Sequence, residues 1–322
     1  MKIGLLGYGT IGKGVFEISK INPYIEVVKI LEKKEKFDQN YIDLFVSSID
    51  EIVNDESIEL VVEVLGGYDF AKGCIEKALK NKKHVVTANK EIIAKDIDVL
   101  LDLAKENGVS LLYEASVGGG IPIIKNLKEI TLVSKISKIT GILNGTTNYI
   151  ITNMFNGMPF EDALKKAQEL GFAEADPTAD LEGFDMMRKI AILSDLAWNT
   201  KIDINKINHK SFKSITQKDI EDAIKNDKVI KYVCESSLVN DEINISVYPK
   251  VFEKTHLFAN VNYEVNAVIL ETYPNDTLSF IGKGAGSLPT ASAVVSDIVD
   301  IINNKNVEFY ENKNIYKINE VK

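Results

Sequence analysis

The sequence predicts an α/β fold: a doubly wound parallel sheet, joined to a second α+β domain with a mixed sheet covered by helices. Three observations lead there. Over residues 2–112, short apolar runs alternate with amphipathic segments, the order that builds βαβ units. After Gly118-Gly119-Gly120 the texture changes, and helical patterns dominate to about residue 197. From about Lys228 several runs alternate apolar with polar, which suits a mixed or antiparallel sheet with one helical face. With 322 residues the chain exceeds what one core usually needs. The expected division is 1–130, 131–288, and a C-terminal helix and tail over 289–322 that returns to the first domain.

The elements follow in order. Lys2–Leu6 is a predicted strand, Ile11–Ser19 a helix and Ile25–Leu31 a second strand. The run "LVVEV" at Leu60–Val64 is a buried strand, followed by a helix near Phe70–Leu79. His84–Thr87 is a strand, Asp96–Glu106 a helix, and Ser110–Tyr113 a strand after the Asn107-Gly108 stop signal. A helix follows Pro122, then a strand near Lys135–Leu143. Helices are expected at Tyr149–Phe155, Phe160–Glu169 and Asp180–Ala197. Four strands come next, "KVIKYVCESSLV", "EINISVYPKVF", "VNAVILETY" and "TLSFIGKG". The last helix is expected at Thr290–Ile302, and residues 303–322 are polar and weakly patterned.

Composition narrows the class. Apolar residues make up 45% and charged residues 26%, the balance of an ordinary globular protein. The net charge of −9 argues against a nucleic acid or an anionic membrane as partner, since both need clustered Lys and Arg. Cys74 and Cys234 are too few for a disulfide framework and read as reduced cytosolic thiols. No stretch approaches the roughly 20 apolar residues of a membrane span. The expectation is a cytoplasmic protein.

Gly7-Tyr8-Gly9-Thr10-Ile11-Gly12 fits G-x-G-x-x-G, sits directly after a strand and opens a helix inside a βαβ unit. That context makes it the fingerprint of a dinucleotide-binding, Rossmann-type turn. Gly7 permits the tight turn, Gly9 lets the backbone approach a pyrophosphate, and Gly12 allows close helix–strand packing. The N–H groups at the helix start, at Thr10 and Ile11, then face the phosphates. Glu32, twenty residues past Gly12, can take the ribose 2′-OH of NAD, whereas Lys33 and Lys34 can take the 2′-phosphate of NADP. Two adjacent ammonium groups favour NADP, with NAD as the alternative and an ordinary charged strand end as the competing reading.

The segment "GFAEADPTADLEGFDMMRK" packs Glu174, Asp176, Asp180, Glu182 and Asp185 into a loop that runs into a helix. Such a cluster suits a substrate with an ammonium group, or else is a solvated acidic loop. Asp185 and Lys189 are four apart on one helix face, with Leu181, Ile192 and Leu196 close to the same stripe. A charged pair on an apolar face tends to be buried, and burial suits an amine to proton transfer. A structural salt bridge is the competing reading. Lys90, in "VVTANKEIIA", follows a strand at the carboxyl edge of the parallel sheet, where ligands of such sheets bind, with an ordinary surface lysine as the competing reading.

Taken together, "GLLGYGTIGKGV", "VVEVLGG", "VVTANKE", "YEASVGGGIPII", "GILNGTTNYI", "GFAEADPTADLEGFDMMRKIAIL" and "GKGAGSLPTASAV" resemble the homoserine dehydrogenase family, in family order from residue 4 to about residue 295. The resemblance implies reversible NAD(P)H-dependent reduction of L-aspartate 4-semialdehyde to L-homoserine. It implies that Lys189 transfers the proton, that Lys90 assists beside the nicotinamide, and that Glu174 and Asp185, with Asp180 near them, hold the substrate amino group. It also implies cofactor contacts at Gly66 and Gly284, a homodimer joined through the second domain, and a sodium ion. The sodium ligands would be the Glu114 carboxylate and the carbonyls of Val117, Gly119 and Ile121. Met186 and Met187 depart from the smaller residues common in the family, so altered packing is expected. Only 36 residues follow Gly286, too few for a C-terminal ACT domain and its feedback control.

Rival readings fit less well. An aldehyde-acylating dehydrogenase needs a nucleophilic Cys in a recognisable motif. A hydroxy-acid dehydrogenase usually wants an Arg clamp, and Arg188 is the only Arg. A non-catalytic NADP-binding regulator has no need of Lys90, Lys189 and the acidic loop.

Overall fold

The structure is a computed structural model in which residues 1–304, 314 and 316–319 are described. The chain forms two compact units, Met1–Pro122 with Gly286–Glu308, and Ile123–Ala285 with Phe309–Lys322.

The first unit alternates as the sequence pattern requires: β1 (Lys2–Leu6), α1 (Thr10–Ile21), β2 (Glu26–Leu31), β3 (Phe45–Val46), α2 (Asp50–Val53), β4 (Leu60–Glu63), α3 (Asp69–Lys80), β5 (His84–Thr87), α4 (Lys90–Glu106) and β6 (Leu111–Leu112). All six strands pair in parallel in the order β3-β2-β1-β4-β5-β6, the order of a doubly wound Rossmann sheet. Helix α4 starts at Lys90, six residues before the expected Asp96, because the Asn89 side chain caps it by accepting the Ile92 N–H at 3.3 Å. The predicted strand Ser110–Tyr113 shrinks to two residues, and the chain then turns through the 3-10 segment Glu114–Ser116.

In the second unit the expected boundary at residue 130 falls inside α5 (Ile123–Val133). There follow β7 (Lys135–Ile142), α6 (Gly145–Phe155), α7 (Phe160–Glu169), α8 (Thr178–Leu181), α9 (Phe184–Trp198), β8 (Asn208–His209), α10 (Gln217–Lys225), β9 (Lys228–Val239), β10 (Glu242–Glu253), β11 (Val265–Tyr273), β12 (Asp276–Lys283) and β13 (Lys317–Asn319). The sheet is mixed. Its path is β12-β11-β7-β9-β10-β13, antiparallel as far as β10, with β13 and β8 parallel to β10. The helix expected over Asp180–Ala197 is broken in two. Gly183 adopts φ +81°, and a Cβ there would lie 2.5 Å from the Tyr232 hydroxyl, so only glycine lets the chain pass. Helix α9 lies against β7 and β9. Its Ser194 hydroxyl donates to Ser236 Oγ at 2.8 Å, and the Trp198 indole N–H donates to the Ile136 carbonyl at 2.9 Å. Met186 and Met187 are both buried in that helix.

The last helix, α11 (Ser287–Ile302), belongs to the first unit. Its Ala291, Val294 and Ile298 join Ile3, Leu5, Val15, Leu60 and Val86 in one apolar cluster, which explains its return. Ser287 Oγ donates to the Thr10 carbonyl at 2.6 Å. Residues 305–313 of the weakly patterned tail lie outside the described residues. No helix among the described residues is long and apolar enough to cross a membrane.

Candidate active site

In the first unit the glycine turn has the shape its sequence demands. Gly7 takes φ +100°, and a Cβ on it would meet the Val64 carbonyl oxygen at 2.8 Å. A Cβ on Gly12 would lie 2.1 Å from the Gly7 carbonyl oxygen, so helix and strand are as close as this turn permits. Nothing stands within 4 Å of a would-be Cβ at Gly9, which opens α1 and leaves its backbone open to approach. The N–H groups of Thr10, Ile11 and Gly12 precede the first helical bond, Lys13 N–H to the Gly9 carbonyl, and are the donors an anion can use. Gly66 and Gly67 are likewise left-handed, at φ +76° and +73°, with open space above them. These openings fit a dinucleotide.

Glu32 does not simply project from the end of β2. One carboxylate oxygen accepts the Tyr8 N–H at 3.0 Å and the other the Lys33 N–H at 2.9 Å, tying the strand end to the glycine turn. The Lys33 side chain is exposed beside it. Lys90 is half-buried at the first position of α4. Glu114 is buried, its N–H donating to Asp297 Oδ2 at 2.8 Å. The chain then bends through left-handed Gly118 and Gly119 between the buried Val117 and Ile121. One buried carboxylate beside a backbone turn is an oxygen-rich setting that suits a hard cation.

The second unit gathers part of the acidic segment. Lys189 and Asp185 are 8% and 4% exposed. The Lys189 ammonium donates to Asp185 Oδ2 at 2.8 Å and to the Leu143 carbonyl at 2.7 Å, so the i, i+4 pair is buried as its stripe implied. Asn144 completes the cluster. Its Nδ2 donates to Asp180 Oδ1 at 2.7 Å and to Asp185 Oδ2 at 2.9 Å, and its Oδ1 accepts the Thr147 N–H at 2.8 Å, capping α6. Burial first, and then the Asp185 carboxylate, push the Asp180 carboxyl above its ordinary range, against the Asn144 hydrogen bond. A further cationic group placed there would pull the carboxyl back down, as the nearby Lys189 ammonium already does in part.

The other acids of the segment do different things. Asp176 takes the Thr178 hydroxyl at 2.6 Å and turns the chain into α8. Glu182 faces Lys213 at 3.6 Å. Glu174 is exposed and is anchored through its backbone, whose carbonyl accepts from Gln168 Nε2 at 3.1 Å. Gly284 answers to packing within its own unit. A Cβ there would fall 1.9 Å from Asn266 Nδ2, so the glycine lets the Asn266 carboxamide lie under the loop. Asn144 is the residue that sequence reasoning missed, although it stands inside the quoted run "GILNGTTNYI".

A parallel sheet in doubly wound order, a glycine turn open at Gly9 and a buried lysine–carboxylate pair define an NAD(P)-dependent oxidoreductase. The comparisons with known proteins carry this further. Two family models match, "Homoserine dehydrogenase, NAD binding domain" over residues 7–114 and "Homoserine dehydrogenase" over residues 122–299. The homoserine dehydrogenase of Bacillus subtilis is 39% identical over 318 residues, covering 94% of this chain and 73% of that protein. The crystal structure of a homoserine dehydrogenase from Thiobacillus denitrificans superposes with a TM-score of 0.88 at 36% identity, covering 94% of this chain and 73% of that one. A hyperthermophilic archaeal homoserine dehydrogenase, solved in complex with NADPH, gives a TM-score of 0.81 at 26% identity and covers 94% and 98%. The chain belongs to the homoserine dehydrogenase family, whose members are oxidoreductases acting on a CH–OH group.

Proposed function

We propose that Lys189 is the proton-transfer residue in the interconversion of L-homoserine and L-aspartate 4-semialdehyde. The observation that carries this is the buried Lys189–Asp185 pair. An ammonium has three donors, and two are used on Asp185 and the Leu143 carbonyl. The third is left for the oxygen at the reacting carbon. During reduction that oxygen gains negative charge, and an aimed ammonium both stabilises it and gives up its proton. In the reverse direction Lys189 takes the hydroxyl proton. Hydride is supplied by the nicotinamide dinucleotide when it is bound. Asp185 holds the lysine in place, and Asp185 and Asp180, with Glu174, hold the substrate ammonium. Lys90 assists electrostatically.

The dinucleotide is held by Gly7, Gly9, Thr10, Ile11 and Gly12, with Gly66 and Gly284 as further contacts. We take it to be NADP, with Lys33 facing the 2′-phosphate. The Glu32 carboxylate is already engaged by two backbone N–H groups and so has less to offer a ribose hydroxyl. A sodium ion on Glu114, Val117, Gly119 and Ile121 would serve structure rather than chemistry. A homodimer through the second unit, whose strands expose Val251, Tyr273 and Ile281, and a cytoplasmic location complete the reading.

The test is to mix the protein with L-homoserine and either NADP or NAD and follow the reduced-nicotinamide absorbance. The expected result is turnover, faster at limiting coenzyme with NADP. Binding of coenzyme without turnover would instead mark a regulator.

A further inference from the structure

Glu63 closes β4 and is completely buried, an uncommon place for a carboxylate. Its Oε1 accepts the Leu65 N–H at 2.9 Å, bending the chain into the Gly66-Gly67 loop. Its Oε2 accepts the Thr87 hydroxyl at 2.5 Å. The parallel register puts Thr87, at the end of β5, directly beside Glu63. Thr87 Oγ1 in turn accepts the Asn89 N–H at 3.0 Å. Asn89 then reaches both ways. Its Nδ2 donates to the Gly67 carbonyl at 2.7 Å, and its Oδ1 caps the helix that Lys90 begins.

The bonds close a ring: Glu63 to Thr87, Thr87 to Asn89, Asn89 to Gly67, and back through the chain to Leu65. Gly66 sits on one side of the ring and Lys90 on the other. Both are residues assigned above to the coenzyme and the reacting centre. Without the Glu63 carboxylate, the two loops lose the tie through Thr87 and keep the Asn89–Gly67 bond, the backbone bond from the Ala88 N–H to the carbonyl of residue 63, and the contact of Tyr68 with Asp96. The site lies among apolar neighbours, with Val61, Val62, Val85 and Val86 all buried in the same two strands. An apolar residue at 63 would pack there without the cost of burying a carboxyl group. Burial pushes the Glu63 carboxyl up, against the hydrogen bonds from Thr87 and Leu65.

We propose that Glu63 is a positioning residue that locks the coenzyme loop at Gly66 and the Lys90 helix start into one rigid frame through Thr87 and Asn89. The proposal rests on the Lys90 and Gly66 roles given above, and its test separates the two.

Glu63→Gln, Thr87→Val and Lys90→Ala are made singly, and each of the first two is also combined with Lys90→Ala. The readouts are kcat, the KM for coenzyme and for L-homoserine, and the thermal midpoint. Glu63→Gln keeps the side-chain shape but replaces one acceptor oxygen with a donor. It is expected to lower kcat about tenfold or more, since small displacements at a reacting centre are amplified. In the Lys90→Ala background the same substitution should change kcat by less than about twofold, because residues acting as one unit are not additive. An equal loss in both backgrounds overturns the proposal, because Glu63 would then act independently of Lys90. So does a kcat near wild type. If Lys90→Ala alone keeps wild-type turnover, it is the Lys90 role that fails. The frame must then show itself at Gly66, as a coenzyme KM raised about fivefold or more in Glu63→Gln, and an unchanged KM overturns it. Should Glu63→Gln not fold, Thr87→Val leaves the carboxylate in place and supports the same comparison.

Discussion

Replacing Asn144 with Ala removes four side-chain hydrogen bonds; the Thr147 hydroxyl can turn from Oδ1 to the backbone carbonyl of residue 144 at 3.3 Å, and the other three can be weighed. The cap on α6, Thr147 N–H to Oδ1 at 2.8 Å, is worth about 1 kcal/mol. The bond to Asp185, a buried carboxylate, is worth about 2 kcal/mol as a contact to a charged acceptor. The bond to Asp180 is worth about 1 kcal/mol, because that residue is half-buried and water can replace part of it. The sum is about 3–4 kcal/mol, on the large side for one substitution. Trp198 is the only tryptophan and lies buried at the end of α9, so its fluorescence reports unfolding of the second unit. Urea titration read at Trp198 should show that loss. Asn144→Asp separates the contributions. It keeps the cap acceptor but sets a third carboxylate against Asp180 and Asp185. Mutual repulsion raises carboxyl pKa values in the folded state above their unfolded values. Stability is therefore present below the unfolded values and is lost as pH rises through the folded ones. The Asp variant should thus fall further below wild type as pH rises above the ordinary aspartate range. A loss below about 0.5 kcal/mol in the Ala variant, or a pH-independent Asp variant, would refute the reasoning.

Two further predictions concern groups away from the chemistry. Burial pushes the Cys74 thiol up to about 11 and the Cys234 thiol higher still, so neither forms a thiolate near neutral pH. Mass spectrometry after iodoacetamide treatment of the native protein at pH 8 should find both unmodified, and labelling within minutes would contradict their burial. Burial alone would raise the Glu235 carboxyl, but hydrogen bonds from Lys250, Tyr248 and Lys138 outweigh it and hold the group at about 2. A folded value below the ordinary one means stability that is present above about pH 4.5 and lost as pH falls towards 2. Glu235→Gln should therefore destabilise the second unit by up to about 3 kcal/mol at pH 7, and the gap to wild type should close in acid. A gap that does not change between pH 7 and pH 3 would show that the ion cluster contributes nothing.

The parallel sheet was legible because each strand is an apolar run bounded by helix signals, and the glycine turn because its three glycines fall within six residues between a strand and a helix, although Gly7 itself also answers to the distant Val64. The Lys189–Asp185 pair was legible for the same reason, since i, i+4 spacing is local. What escaped depends on distant contacts. The break at Gly183 exists because Tyr232, far along the chain, comes within reach of it. Asn144 matters through carboxylates 36 and 41 residues away. Glu63 read as one more member of a buried strand, because nothing in "LVVEV" announces Thr87 beside it. Strand β3 has only two residues, too short to show a period. Helix α10 is a different case. Its capping box, Thr216 with Asp219, is written in the sequence and was a usable signal.

Lys189 is where the account is most exposed to test. Steady-state oxidation of L-homoserine by Lys189→Ala, with coenzyme binding measured separately, is the most direct measurement. The account predicts kcat lower by about 10²–10⁴-fold with coenzyme affinity retained. Turnover at the wild-type rate would contradict it.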